Sequence, residues 1–246
     1  MKKKNLKNAT LRLITLVFGA IMVASFNACD KMDSIGFYEP GKIPGLGETP
    51  GEVSGNQFTL PDGIELTGDI TGSASSSNYW NQSSGGQTIH YYGSGYGYVD
   101  LLLKLRNIRS TPITVTFPAA TVFISKTGST QNGVLLQKVT ITIPANSDYH
   151  LCLSLYCGNE HKGAAGSGSI YRLGVVSNAV PLTNLCFLLQ IKKINIEKFL
   201  STSTTDKNIF TSQKNSLQRI VWRITDGNGL SQSDIDYINS LPISLF

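Results

Sequence analysis

The chain has 246 residues, and its 21 Lys and Arg outnumber its 16 Asp and Glu. The excess is confined to Lys2, Lys3, Lys4, Lys7 and Arg12, since no acid precedes Asp30; from Cys29 onward 16 basic residues face 16 acidic ones. That balance excludes the basic patch by which a protein recognises nucleic acid or an anionic membrane surface. Few charges and many Gly, Ser, Thr and Asn suit an extracytoplasmic, β-rich protein.

Behind the basic head runs Leu13–Ala24, an apolar stretch shorter than the ~20 residues needed to cross a bilayer. Basic head, apolar middle and the small Ala28 before Cys29 form a secretory signal. A cysteine directly after a small residue resembles a bacterial lipoprotein signal, with Phe26 and Asn27 where aliphatic and small residues are usual. The resemblance implies cleavage before Cys29 and acylation of its thiol and new amino group, palmitate being the natural label. It places the folded part at the cell envelope, on the outer membrane or the cell surface, with the membrane as partner through lipid at Cys29. Acyl chains contribute about 0.8 kcal/mol per buried methylene, so several of them hold a protein on a bilayer without help.

Residues 1–28 are thus read as signal peptide. Residues 29–56, with Pro40, Pro44, Pro50 and frequent Gly, have the composition of a flexible tether. Residues 71–97 are rich in Gly, Ser and Tyr, and a long loop or edge hairpin is expected there. Alternating patterns follow at Tyr98–Arg106, Ile113–Phe117, Val134–Ile143 and Tyr149–Cys157, with a short segment at Thr121–Ile124. After a loop from Gly158 to Ser169 comes a strand at Ile170–Val176. Short strands divided by Gly, Pro and Asn clusters predict an antiparallel, Ig-like β-sandwich over 57–176. The period then becomes helical. Helices are expected at Thr183–Leu200 and Ser212–Thr225, with a third capped by Ser231 and Asp234. Residues 201–206 read as a hinge. The expected fold is mostly β with α: a sandwich followed by a three-helix segment, 177–246, packed on it.

Within Tyr149–Cys157, Leu151, Leu153, Leu155 and Cys157 share one face, while Cys152, Ser154 and Tyr156 share the other. In the second helix Gln218 and Trp222 lie four apart and overlap, beside an apolar stripe of Leu217, Ile220, Val221 and Ile224. An aromatic–Cys pair at a strand end, here Tyr156-Cys157, and a helix carrying Gln218, Val221 and Trp222 resemble the thioester domains of bacterial surface adhesins. The resemblance covers roughly residues 130–240; Leu217 and Ile220 stand for the usual Thr and Ala, and Gly158 for an apolar residue. It implies a bond between the Cys157 sulfur and the Gln218 side-chain carbon, with Trp222, Tyr156 and His161 in support. The thiolate is the nucleophile, and a cation such as His161 or Arg219 would lower its pKa.

Cys152, Cys157 and Cys186 are an odd number after Cys29, and their pairing is open. His150, Cys152, Cys157, Glu160 and His161 are close in sequence but divided between strand faces and a loop, so no metal site is expected. His90 has no evident partner. No nucleophile elbow, P-loop or dinucleotide fingerprint occurs. The expectation is a lipid-anchored binding or adhesion module, not an enzyme, needing no cofactor and carrying a thioester for attachment to a host or cell-surface protein or glycan. The alternative is an accessory outer-membrane lipoprotein that assembles with protein partners and has no reactive bond.

Overall fold

The patterns at Tyr98–Arg106 and Tyr149–Cys157 become the two longest strands of the computed structural model, which describes residues 36–73, 83–84, 87–199 and 203–244. The chain divides into Met1–Phe37 and Tyr38–Phe246. The signal peptide and Cys29 lie outside the described residues. In the second unit the strands are β1 (Gly55–Gln57), β2 (Ile64–Leu66), β3 (Ile70–Gly72), β4 (Ser83–Ser84), β5 (Gln87–Thr88), β6 (His90–Gly93), β7 (Val99–Asn107), β8 (Ile113–Phe117), β9 (Thr121–Ser125), β10 (Gly133–Val134), β11 (Val139–Ile143), β12 (Asp148–Cys157) and β13 (Ile170–Ser177). Helices α1 (Val180–Leu189), α2 (Thr204–Thr225) and α3 (Gln232–Ser240) follow, with a 3₁₀ turn at Ile196–Lys198.

β7 and β12 pair antiparallel from Arg106↔Asp148 to Val99↔Leu155. The opposite edge of β12 carries β10, which pairs with β9; β9 pairs with β13, β13 with β3, and β3 returns to β7. Each of these pairings is antiparallel, and because β7 and β12 also pair with each other the six strands close a barrel. The Ig-like sandwich is therefore corrected to a closed barrel with helices. Alternation of inward and outward residues is common to both architectures. What separates them is which edges meet, and here two-residue pairings at β3 and β10 supply the links. A register shift between Leu173 and Val175 interrupts the pairing of β13 with β9.

Leu101, Leu103 and Leu105 of β7 and Leu151, Leu153 and Leu155 of β12 share one core with Phe123 and Cys157. The ribbon of β8 and β11 adds Val115, Phe117, Val139, Ile141 and Ile143 to it. The single strand expected at Val134–Ile143 is broken into β10 and β11. Between them Gln137 turns its amide to the carbonyls of Leu189 and Lys192, beyond the end of α1. Residues 71–97 contribute β6, which lies parallel against β12.

The opposite strand faces carry Val122, Val134 and Tyr156 into a second core, built with Leu182, Leu185, Leu217, Val221 and Ile238 of the helices. The first helix is shorter than expected, ending at Leu189 rather than Leu200. Lys192 instead turns inward and its ammonium donates to the Asn239 and Leu241 carbonyls near the end of α3. The second helix is longer, because Ser203 caps it by accepting from Asp206 N–H, so Thr204–Asp206 are helical rather than a hinge; residues 201 and 202 lie outside the described residues. α3 begins with the capping box of Ser231 and Asp234.

From Tyr38 onward the expected tether is a packed strap. Ile43 and Leu46 are fully buried and Val53 nearly so. Gly41 N–H donates to Ile224 O at 2.8 Å, and Gly47 N–H to Gly158 O at 2.7 Å. Gly47 has a φ of 58°, and a Cβ there would lie 2.0 Å from Thr225 O, so glycine is what lets the strap lie on the helix end. The Pro and Gly residues thus shape a fixed course with three apolar anchors. Leu46→Ala is expected to cost about 3 kcal/mol of unfolding free energy in urea titration; an unchanged midpoint would mean that the strap is a tether after all.

Candidate functional site

Pairing of β12 with β7 stops at Leu155↔Val99, two residues before the strand ends at Cys157. On its other edge β12 still has β10, with Cys157 opposite Gly133. In an antiparallel ladder the N–H and C=O of one residue point to the same side and alternate along the strand. Those of Cys157 point to the edge that β7 has left, and α2 fills the gap with a side chain. Cys157 N–H donates to Gln218 Oε1 at 2.9 Å, and Gln218 Nε2 donates to Cys157 O at 2.9 Å. The carboxamide therefore completes the ladder as a backbone peptide would. Cys157 and Gln218 are both 0% exposed.

Trp222, one turn on from Gln218, donates its indole N–H to Cys157 Sγ at 3.4 Å. The thiol in turn donates to Asn159 O at 3.1 Å. Tyr98 packs its ring against both Trp222 (edge-on, centroids 6.3 Å apart) and Tyr156 (stacked, 6.4 Å). Tyr156 lies buried on the opposite strand face, in the core formed with Leu217 and Val221 of α2. The strap covers the far side. Asn159 Nδ2 donates to Gly47 O at 2.9 Å, and Asn132 N–H donates to Asn159 Oδ1 at 2.9 Å. A Cβ at Gly158 would meet Leu46 Cδ2 at 2.9 Å and Val134 Cγ2 at 3.0 Å. Leu46 thus supplies the apolar group that a residue after the cysteine would otherwise bring.

Burial pushes the Cys157 thiol up to about 11, with the Trp222 indole opposing and the Asp226 and Glu160 carboxylates reinforcing the rise. Among the described residues no cation acts on the sulfur, contrary to the expectation. His161 is exposed and its charge acts on Asp226. Arg219 is exposed and donates to Ser216 Oγ at 3.3 Å. Of the residues read from the sequence, the fold brings together Cys157, Gln218, Trp222 and Tyr156, and leaves His161 aside. Sequence reasoning did not single out Tyr98, Asn159 or the strap. Asn159, two residues after the cysteine, was the available signal; the strap contacts are too distant in sequence to leave one.

Cys152, Cys157 and Cys186 are all buried free thiols. Among the described residues no three His, Cys, Asp or Glu side chains are grouped to hold a metal ion, and no helix is long and apolar enough to cross a membrane. His90 does have a partner: its ring stacks on Tyr149 with centroids 4.6 Å apart. Compared with known proteins, the chain matches no family model, no curated protein and no solved structure.

One helical turn before Gln218 lies Lys214, whose ammonium donates to Tyr96 O and sits 5.2 Å and 5.5 Å from the Tyr96 and Tyr98 ring centres. It also acts on Asp100, a buried carboxylate of β7 that accepts from Gly97 N–H at 3.0 Å. Burial raises Asp100 to about 6, against the partial relief given by its hydrogen bonds and Lys214. Tyr91 and Cys152 face the same carboxylate and feel its charge. The unfolded chain loses this proton near the ordinary aspartate value, whereas the folded protein keeps it to about 6. Stability is therefore highest below the ordinary value and falls as pH rises through about 4 to 6, by about 3 kcal/mol from this group. Asp100→Asn should flatten that slope in urea unfolding measured across the window; an unaltered slope would place the titration elsewhere.

Proposed function

We propose that the chain is a lipid-anchored binding or adhesion module of the cell envelope or surface, in which Cys157 and Gln218 form an internal thioester. The observation that carries this reading is the two-bond clasp of the Gln218 carboxamide on Cys157, dry and with an indole N–H on the sulfur. The Cys157 sulfur attacks Gln218 Cδ; the C–N bond breaks, and the thiol proton leaves with the amide nitrogen as ammonia. Charge developing on Gln218 Oε1 in the tetrahedral intermediate meets the Cys157 N–H already bonded to it, the arrangement of an oxyanion hole. The Trp222 N–H steadies charge on the sulfur. A target amine or hydroxyl then adds to Cδ, the C–S bond breaks, and the thiol takes back a proton from the nucleophile. One target is joined per chain, without turnover, and no cofactor or metal takes part. The target is a protein or glycan of a host or neighbouring cell surface, and Cys29 carries the lipid.

A second reading has its own observation. The thiol is held near 11, so about one molecule in 10⁴ is thiolate at neutral pH. That favours a structural clasp in an accessory outer-membrane lipoprotein. Intact-mass measurement separates the two: the parent protein should be lighter by one ammonia than its sequence requires, whereas Cys157→Ala and Gln218→Ala should have full mass. A parent of full mass leaves only the clasp. In the clasp reading Gln218→Ala still costs about 1–3 kcal/mol, because it orphans the buried N–H and C=O of Cys157. The anchor is tested separately, by labelled palmitate recovered on Cys29 and lost in Cys29→Ser.

A further inference from the structure

Between the strap and the barrel wall lies a cavity of about 380 Å³, within the range of small-ligand sites. Two cations line it from separate elements, Lys162 on the loop after β12 and Arg172 on β13. Among the described residues neither lies within ion-pair distance of an acid. Glu52 also lines the cavity, from the strap, leaving a net positive charge. The Lys162 backbone is pinned, because Gln131 Nε2 donates to its carbonyl at 2.9 Å. Thr130 Oγ1 accepts a hydrogen bond from the Thr127 hydroxyl at 2.8 Å, which leaves its own O–H proton to be donated to a ligand. Pro50 and Val175 add apolar surface. Among the described residues no aromatic ring lines the cavity, so none of them stacks on a base there.

From this set we infer that the cavity binds a carboxylate-bearing sugar residue of the uronic acid type. Arg172 meets the carboxylate through its planar fork, Lys162 adds a point charge, Thr130 meets a ring hydroxyl, and Pro50 and Val175 lie under the C–H face; the Asn132 amide is itself held by Ser125 N–H and Gly45 O, which fixes that wall of the cavity. Asn132 also links this site to the candidate thioester, since its N–H donates to Asn159 Oδ1 and Asn159 O accepts from the Cys157 thiol. The inference deepens the adhesion reading by naming the glycan class, and the cavity itself does not depend on the thioester.

The test uses the purified Cys157→Ala variant, in which no thioester forms, so its outcome is independent of the mass measurement on the parent. Calorimetric titration with glucuronate should show saturable binding, with glucose and inorganic phosphate each weaker by about tenfold or more. Adding Arg172→Ala and Lys162→Ala, with an unchanged circular dichroism spectrum, should weaken glucuronate by at least about tenfold. Absence of saturable binding, equal affinity for glucose, or indifference to both substitutions overturns the site. Phosphate binding as tightly as glucuronate overturns the sugar and leaves an anion hole.

Discussion

The arrangement at the end of β12 depends on one exchange of hydrogen bonds, the Gln218 carboxamide standing in for a missing strand at Cys157. A buried ladder end cannot leave its N–H and C=O unpaired without losing the desolvation cost of both groups. Satisfying them with a side chain from α2 places that helix in register and rotation. Once Gln218 is set, Trp222 falls one turn on, over the sulfur, and Leu217 and Val221 turn toward Tyr156. The same exchange that seals the barrel end thus builds the candidate site.

The site is dry, and its charges are acids. Asp226 and Glu160 oppose ionisation of the thiol, and burial opposes it more. The proposed thioester would therefore have to form by polarising the acceptor carbon through Cys157 N–H and by holding the reacting groups together, rather than through a standing thiolate. Burial of both residues would shield such a bond from water, and so from hydrolysis, if it forms as proposed. Lys214, one turn back along α2, faces Asp100 of β7, so this charged pair and the candidate site share the helix as a support.

The strap joins these parts. Three apolar anchors, Ile43, Leu46 and Val53, and glycines fitted against the end of α2 hold it between helix and barrel. It fills the space over Gly158, fixes Asn159 through Gly47 O, and forms one wall of the cationic cavity. A segment whose composition reads as spacer is therefore the roof of two neighbouring sites. Composition describes how a chain behaves alone; it carries no information on the three contacts that overrule it.

Period-two alternation in residues 98–106 and 149–157, the shared face of Leu151, Leu153, Leu155 and Cys157, the Gln218–Trp222 spacing and the Ser231–Asp234 cap were legible because each depends on neighbours within a few residues. Strand closure was not legible, since inward and outward faces alternate alike in an open sandwich and a closed barrel. The length of α2 was misread because Ser203, its cap, lies in a polar run that resembles a hinge. The sequence alone determined which residue types share a face and which stand one helical turn apart. Only the tertiary structure decided that β7 ends two residues short of β12, that Gln218 fills the gap, and that no cation among the described residues acts on the sulfur. Those outcomes depend on contacts far apart in the chain, 61 positions for Cys157 and Gln218, where local periodicity has no hold.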